Sequence, residues 1–151
     1  MARVKHKTKR GYFGIGVYNP KREVNIGTLW RSAFNFGASF IFTIGRRYQT
    51  QGSDTMKTPR HIPLYHYNSN DEFYENLPKG CMLVGVEQTD ESRCLKDFAH
   101  PPRCVYILGA EDNGLPKKII DKCHALVQIN TPSCLNVAVA GSIVMYDRRC
   151  K

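Results

Sequence analysis

PSCLNVAVAGSIVMYD, residues 132–147, places Ser133, Cys134, Leu135 and Asn136 directly before a small-residue apolar run that has the composition of a helix. One side-chain acceptor is enough to cap a helix start. The surplus at this junction points to a second role for the same residues, and what precedes them shows what that role needs. "ALVQIN" (125–130), just upstream, reads as a short strand, so the quartet lies in a strand-to-helix turn. The same unit recurs along the chain. "YFGIGVY" (12–18), "SFIFTIG" (39–45), "CMLVGVE" (81–87) and "CVYILG" (104–109) are further strands rich in Ile, Val, Phe and Tyr. Candidate helices fall at 25–36, 70–77, 116–124 and 135–148. Such alternation defines an α/β class with a mostly parallel sheet and helices on both faces. No internal repeat or long linker divides the 151 residues, which fit one domain.

Two other strand-to-helix junctions carry unusual residues. In "NIGTLWRSAFNFG" (25–37), Asn25 can cap the helix, and Ile26, Leu29, Ala33 and Phe36 share one face. Gly37 is placed to end it. Arg31 lies off that stripe, either as a surface arginine or as a group near the carboxyl ends of the strands, where ligands bind in open α/β sheets. In "LGAEDNGLP" (108–116), Gly109 and Gly114 permit tight turns, and Pro116 suits the first helical position. Glu111 and Asp112 there can hydrogen-bond a ligand, orient an arginine, or form an ordinary acidic turn. "GIG" at 14–16 lacks the third glycine of a dinucleotide fingerprint, and no phosphate-loop pattern occurs.

Taken together, "NIGTLWRSAFNFG" (25–37), "ILGAEDNGLP" (107–116) and "CLNVAVAGSIVMYD" (134–147) resemble, in order and spacing, the three motifs of the SpoU (TrmH-type) RNA ribose methyltransferases of the SPOUT superfamily. The resemblance implies a minimal SPOUT domain with a C-terminal trefoil knot. It further implies a homodimer, S-adenosylmethionine as cofactor, and tRNA or rRNA as substrate. Its catalytic residues fall on Asn25, Arg31, Glu111 and Asn136. Its cofactor pocket falls on Val86, Glu87, Gly109, Leu115, Ile129, Ser133, Cys134 and Leu135. The family usually has Ser-Leu-Asn where this chain has Cys134-Leu135-Asn136, so either Cys134 or the displaced Ser133 takes the serine position. A thiol is the weaker hydrogen-bond donor. Arg31 is expected to clamp an RNA phosphate rather than act as a base, because a guanidinium rarely gives up its proton. An inactive RNA-binding relative of the same fold is the alternative, and methylation of a base nitrogen is a further one.

Charge and cysteine usage agree with an RNA partner inside the cell. Residues 1–60 hold twelve Lys or Arg against two acids, while residues 61–151 hold ten against eleven. Residues 1–10 form a basic arm, expected to be flexible, that either contacts a polyanion or stays solvated. Six cysteines without any C-x-x-C spacing read as reduced thiols rather than metal ligands, which suits a cytoplasmic setting. No apolar run approaches the length of a membrane span, and neither a metal nor a membrane is expected. None of the five histidines falls in a motif.

Overall fold

Residues 103–109 show why this chain builds a sheet covered on both faces. In the computed structural model, which describes residues 10–151, Cys104, Tyr106 and Leu108 are buried toward one core and Val105 and Ile107 toward a second. A strand buried on both sides must be apolar at nearly every position, as this one is. The strands are β1 (Tyr12–Tyr18), β2 (Phe40–Ile44), β3 (Leu64–Tyr67), β4 (Met82–Val86), β5 (Arg93–Cys94), β6 (Arg103–Gly109) and β7 (Ala125–Gln128). They form one sheet in the order β3-β2-β1-β6-β4-β7-β5, and every strand pairing is parallel.

The helices divide between the two faces. α1 (Glu23–Phe36) and α4 (Val137–Cys150) bury Ile26, Leu29, Trp30, Ala33, Val137, Ala138, Val144 and Met145 against Phe13, Ile15 and Val17. On the other face, α2 (Asn70–Glu75) and α3 (Lys117–Ile120) bring Phe73 and Ile119 to Phe42, Ile44, Leu83 and Ile107. Gly141 lets α4 approach α1 closely: a Cβ there would stand 2.4 Å from Leu29 Cδ1. The closeness also brings the Ser142 hydroxyl to within 2.8 Å of Ser32 Oγ.

Three expectations need correction. Asn25 does not cap α1, which starts two residues earlier at Glu23 with Arg22 at the N-cap position and no side-chain cap. An acid in the first turn favours that earlier start through the helix dipole, and Asn25 is left inside the first turn with its amide available. Pro116 precedes α3 instead of opening it, and α3 ends at Ile120, so residues 121–124 are not helical. β3 and β5 were not expected as strands. Gly37 does end α1, in the left-handed conformation with φ 82°.

A wholly parallel pairing sends the carboxyl end of every strand to the same edge. The turn at 19–22 and the loops at 87–92, 110–116 and 129–136 follow β1, β4, β6 and β7, so all of them gather there.

Candidate active site

Three separate junctions meet at that edge on one carboxylate. Glu111 Oε1 accepts from Asn25 Nδ2 and, at 3.3 Å, from Asn136 Nδ2. Arg22 Nε lies 3.5 Å from Glu111 Oε2. Asn25 comes from the first turn of α1, Glu111 from the loop after β6, and Asn136 from the start of α4. Asn136 also caps α4, its Oδ1 accepting from the N–H groups of Ala138 at 2.9 Å and Val139 at 3.3 Å. One asparagine thus uses its oxygen on the helix and its nitrogen on the site. This resolves the surplus of polar residues before the helix.

Beside this cluster lies a cavity of about 270 Å³. Its apolar wall is Val86, Leu108, Ile129, Leu135, Val137 and Ala140, and its polar wall includes Glu87, Gln88, Glu111, Asp112, Thr131 and Cys134. The loop after β6 folds back tightly, with the Gly114 N–H donating to the Ala110 carbonyl at 3.0 Å. At Gly109 a Cβ would stand 2.0 Å from the Gly114 carbonyl carbon, and Gly114 itself has φ 59°, so both positions require glycine.

Two consecutive side chains hold the loops on either side. Glu87 Oε2 accepts from the Leu115 N–H at 2.7 Å, which anchors the 110–116 loop. Gln88 Nε2 donates to the carbonyls of Ile129 at 3.0 Å and Thr131 at 3.2 Å, which anchors the 129–134 loop. Gln88 was not named among the expected site residues. Glutamine after a strand has no distinctive sequence signature, and the contact depends on a loop 41 residues further on. Arg22 was read only as one of the N-terminal cations.

The structure brings together Asn25, Glu111 and Asn136, and lines the cavity with Val86, Glu87, Gly109, Ile129, Cys134 and Leu135. Leu115 is buried behind it and contributes its N–H to Glu87. Ser133 is exposed and outside the cavity wall, its carbonyl accepting from Thr131 Oγ1 at 2.8 Å. Cys134 faces the cavity, with its thiol 4.0 Å from Gln88 Oε1. Arg31 is not part of the cluster. It is exposed on α1, and its side chain makes no hydrogen bond or ion pair among the described residues. None of the described histidines lines the cavity, and no cluster of His, Cys, Asp and Glu suited to a metal occurs among the described residues. Burial pushes the Cys123 thiol up to about 11 and the Cys81 thiol likewise to about 11, as expected for packed, unreactive sulfur.

A parallel α/β sheet with a half-apolar cavity among the loops at its carboxyl edge has the layout of a small-ligand-binding enzyme domain. The chain belongs to the SpoU rRNA Methylase family, which matches residues 13–146. It is similar to the AdoMet-bound rRNA methyltransferase of Sinorhizobium meliloti, with a TM-score of 0.81 and 24% identity over 93% of this chain and 57% of that one. It is likewise similar to the A. aeolicus TrmH/SpoU tRNA modifying enzyme, with a TM-score of 0.80 and 19% identity over 94% of this chain and 76% of that one. In sequence it is 25% identical to the Mus musculus tRNA (guanosine(18)-2'-O)-methyltransferase over 139 residues, 83% of this chain and 8% of that protein. The chain spans about half the length of the curated relatives it matches, or far less.

Proposed function

We propose that the protein is an S-adenosylmethionine-dependent methyltransferase acting on a ribose 2'-hydroxyl of tRNA or rRNA. The observation that carries this reading is the convergence of Asn25, Glu111 and Asn136, one from each motif, at the rim of a cavity.

The residues present suit the cofactor. An apolar wall suits a purine ring, and the Glu87, Glu111 and Asp112 carboxylates set negative charge around a space that would hold a sulfonium cation. When bound, S-adenosylmethionine supplies an electrophilic methyl group that needs no metal. Val86, Gly109, Ile129, Cys134 and Leu135 would hold it, while Glu87 and Gln88 keep the two loops in place. The remaining work of the chain is orientation. Glu111, engaged by Arg22 and both asparagines, is an anchor that fixes the amides around the target ribose rather than a free base. Arg31, exposed and unpaired among the described residues, clamps the phosphate beside that ribose, and the phosphate or a water takes the hydroxyl proton.

The trefoil knot and the homodimer are part of the same proposal. An exposed apolar stripe on α4, Val139, Ile143 and Tyr146, repeats at helical spacing beside α1 and suits a second copy of the chain. A cytoplasmic setting fits the six free cysteines, and no helix among the described residues is long and apolar enough to cross a membrane.

Calorimetric titration with S-adenosylmethionine tests the reading. Saturable binding is expected for the wild-type protein and strong weakening for Gly109→Ala, whose added methyl meets the Gly114 backbone. A folded wild-type protein with no affinity for the cofactor would instead be an RNA-binding relative without transferase activity.

A further inference from the structure

The carboxyl edge of the sheet is divided by charge. On the β1 and β2 side, the turns after the two strands carry Lys21, Arg22, Arg46 and Arg47, all exposed. On the β4 and β6 side, the loops carry Glu87, Asp90, Glu91, Glu111 and Asp112. The two cationic turns are neighbours, because β1 and β2 pair through Tyr18 and Ile44 and the Asn19 N–H continues the ladder to the Ile44 carbonyl at 2.7 Å. Arg46 Nη1 joins the turns by donating to the Lys21 carbonyl at 3.0 Å, and its Nη2 lies 3.8 Å from Glu23, an acid on the same side at the start of α1. Lys21 and Arg22 then reach across the boundary, to Asp112 at 3.0 Å and Glu111 at 3.5 Å. Arg47 makes no hydrogen bond or ion pair among the described residues.

We propose that these two turns form the track for the RNA backbone flanking the methylated nucleotide, with its phosphates seated on Lys21, Arg22, Arg46 and Arg47. The inference rests on the RNA-ribose reading above and says which surface delivers that ribose. Cations on adjacent strand ends, about 4.8 Å apart, make a row rather than a single point of charge, and a row suits a phosphodiester chain. The acids beyond β6 repel a polyanion, so the RNA runs along the β2 and β1 ends and stops at the boundary. Asn25, Glu111 and Asn136 stand at that boundary. A ribose there has one flanking phosphate on the last cation of the row, leaves the other for Arg31, and faces the cavity. The ion pairs that now hold Lys21 and Arg22 are solvent-exposed on the lysine and arginine sides, at 41% and 75%, and exposed pairs of this kind exchange readily for phosphate.

Fluorescence anisotropy with labelled oligouridylate over a series of salt concentrations tests the track, because phosphate binding does not depend on base sequence. For R46Q/R47Q the slope of log K against log salt is expected to flatten by roughly 1.4, about 0.7 for each phosphate of the single strand that is no longer neutralised. R47Q alone should give about half that change and disturbs no bond within the fold. The slope of K79Q/R103Q, at the opposite edge of the sheet, should equal that of the wild type. An unchanged slope in R46Q/R47Q would overturn the track, and if removal of residues 2–10 lowered it instead, the grip would lie in the arm. If tRNA were still methylated in either case, the functional reading would stand without the track. A wild-type protein with neither salt-dependent RNA affinity nor methyl transfer would remove both.

Discussion

Asn136 does two jobs that substitution can separate. Its oxygen caps α4 and its nitrogen holds Glu111. Aspartate caps as well as asparagine, whereas alanine at an N-cap costs about 1 kcal/mol. Asn136→Asp should therefore stay within about 1 kcal/mol of wild-type stability in denaturant unfolding, yet reduce methyl transfer at least about tenfold, since its carboxylate repels Glu111. Asn136→Ala should impair both. A fully active Asn136→Asp enzyme would show that the amide bond to Glu111 is dispensable. At this scale the sequence was legible in residue type and less so in position. Asn25 has the chemistry of a cap, but in the structure its amide donates to Glu111 in place of its oxygen accepting from the helix. The family resemblance groups the two in one site, but the bond between them depends on the return of β6 beside β1, which the chemistry of neither residue shows. The choice between Ser133 and Cys134 likewise depended on the path of a loop, which turns Cys134 toward the cavity and leaves Ser133 outside.

α4 is fixed at both ends, and its far end carries a proton-sensitive contact. His100 lies in the loop before β6, with its side chain only 4% exposed. Its Nδ1 is 2.6 Å from the Tyr106 hydroxyl, and its Nε2 is 2.7 Å from Asp147 on α4. Lys151 Nζ contacts the same Asp147 carboxylate at 2.8 Å, and Arg148 Nη1 is 3.3 Å from the Tyr106 hydroxyl. Burial lowers the pKa of His100 below the ordinary imidazole value of 6.5, outweighing Asp147, and Arg148 and Lys151 lower it further. The contact with Asp147 at neutral pH is thus a hydrogen bond from a neutral ring, not an ion pair. A proton on this ring favours the unfolded chain, so the stability it supports is present above about pH 6.5 and declines as pH falls through that value. Unfolding free energy measured from pH 8 to 5 should decline in wild type and decline less in His100→Gln; parallel curves would place the titration elsewhere. The strands and helices themselves were largely legible, since β1, β2, β4 and β6 are apolar runs buried at most positions and β7 is a short apolar run with Val127 buried. β3 was not, because Leu64–Tyr67 is an edge strand with an exposed tyrosine and a histidine, and β5 is two residues long.

Across the whole molecule, the charge imbalance between the halves of the sequence becomes a spatial one. Residues 10–60 build β1, α1, β2 and the loop after it, so Lys21, Arg22, Arg46 and Arg47, which follow β1 and β2, lie on one side of the carboxyl edge, while the acids of the loops after β4 and β6 lie on the other. That conversion was partly legible, because consecutive strands of a parallel sheet commonly lie side by side. The insertion of β6 between β1 and β4 was not. It sets Glu111 beside Asn25, and it depends on the packing of the complete sheet. The basic arm at residues 1–10 falls outside the described residues except for Arg10, which is exposed.

The reaction proposed for this edge is methyl transfer to an RNA ribose. Tritiated S-adenosylmethionine incubated with total tRNA and rRNA from cells lacking the gene, followed by digestion and mass spectrometry of the labelled nucleosides, tests it most directly. The label is expected on a ribose 2'-oxygen, and in Arg31→Ala the rate should fall at least about a hundredfold while cofactor binding stays near wild type. Label on a base nitrogen, or no label from a wild-type protein that binds the cofactor, would contradict the account.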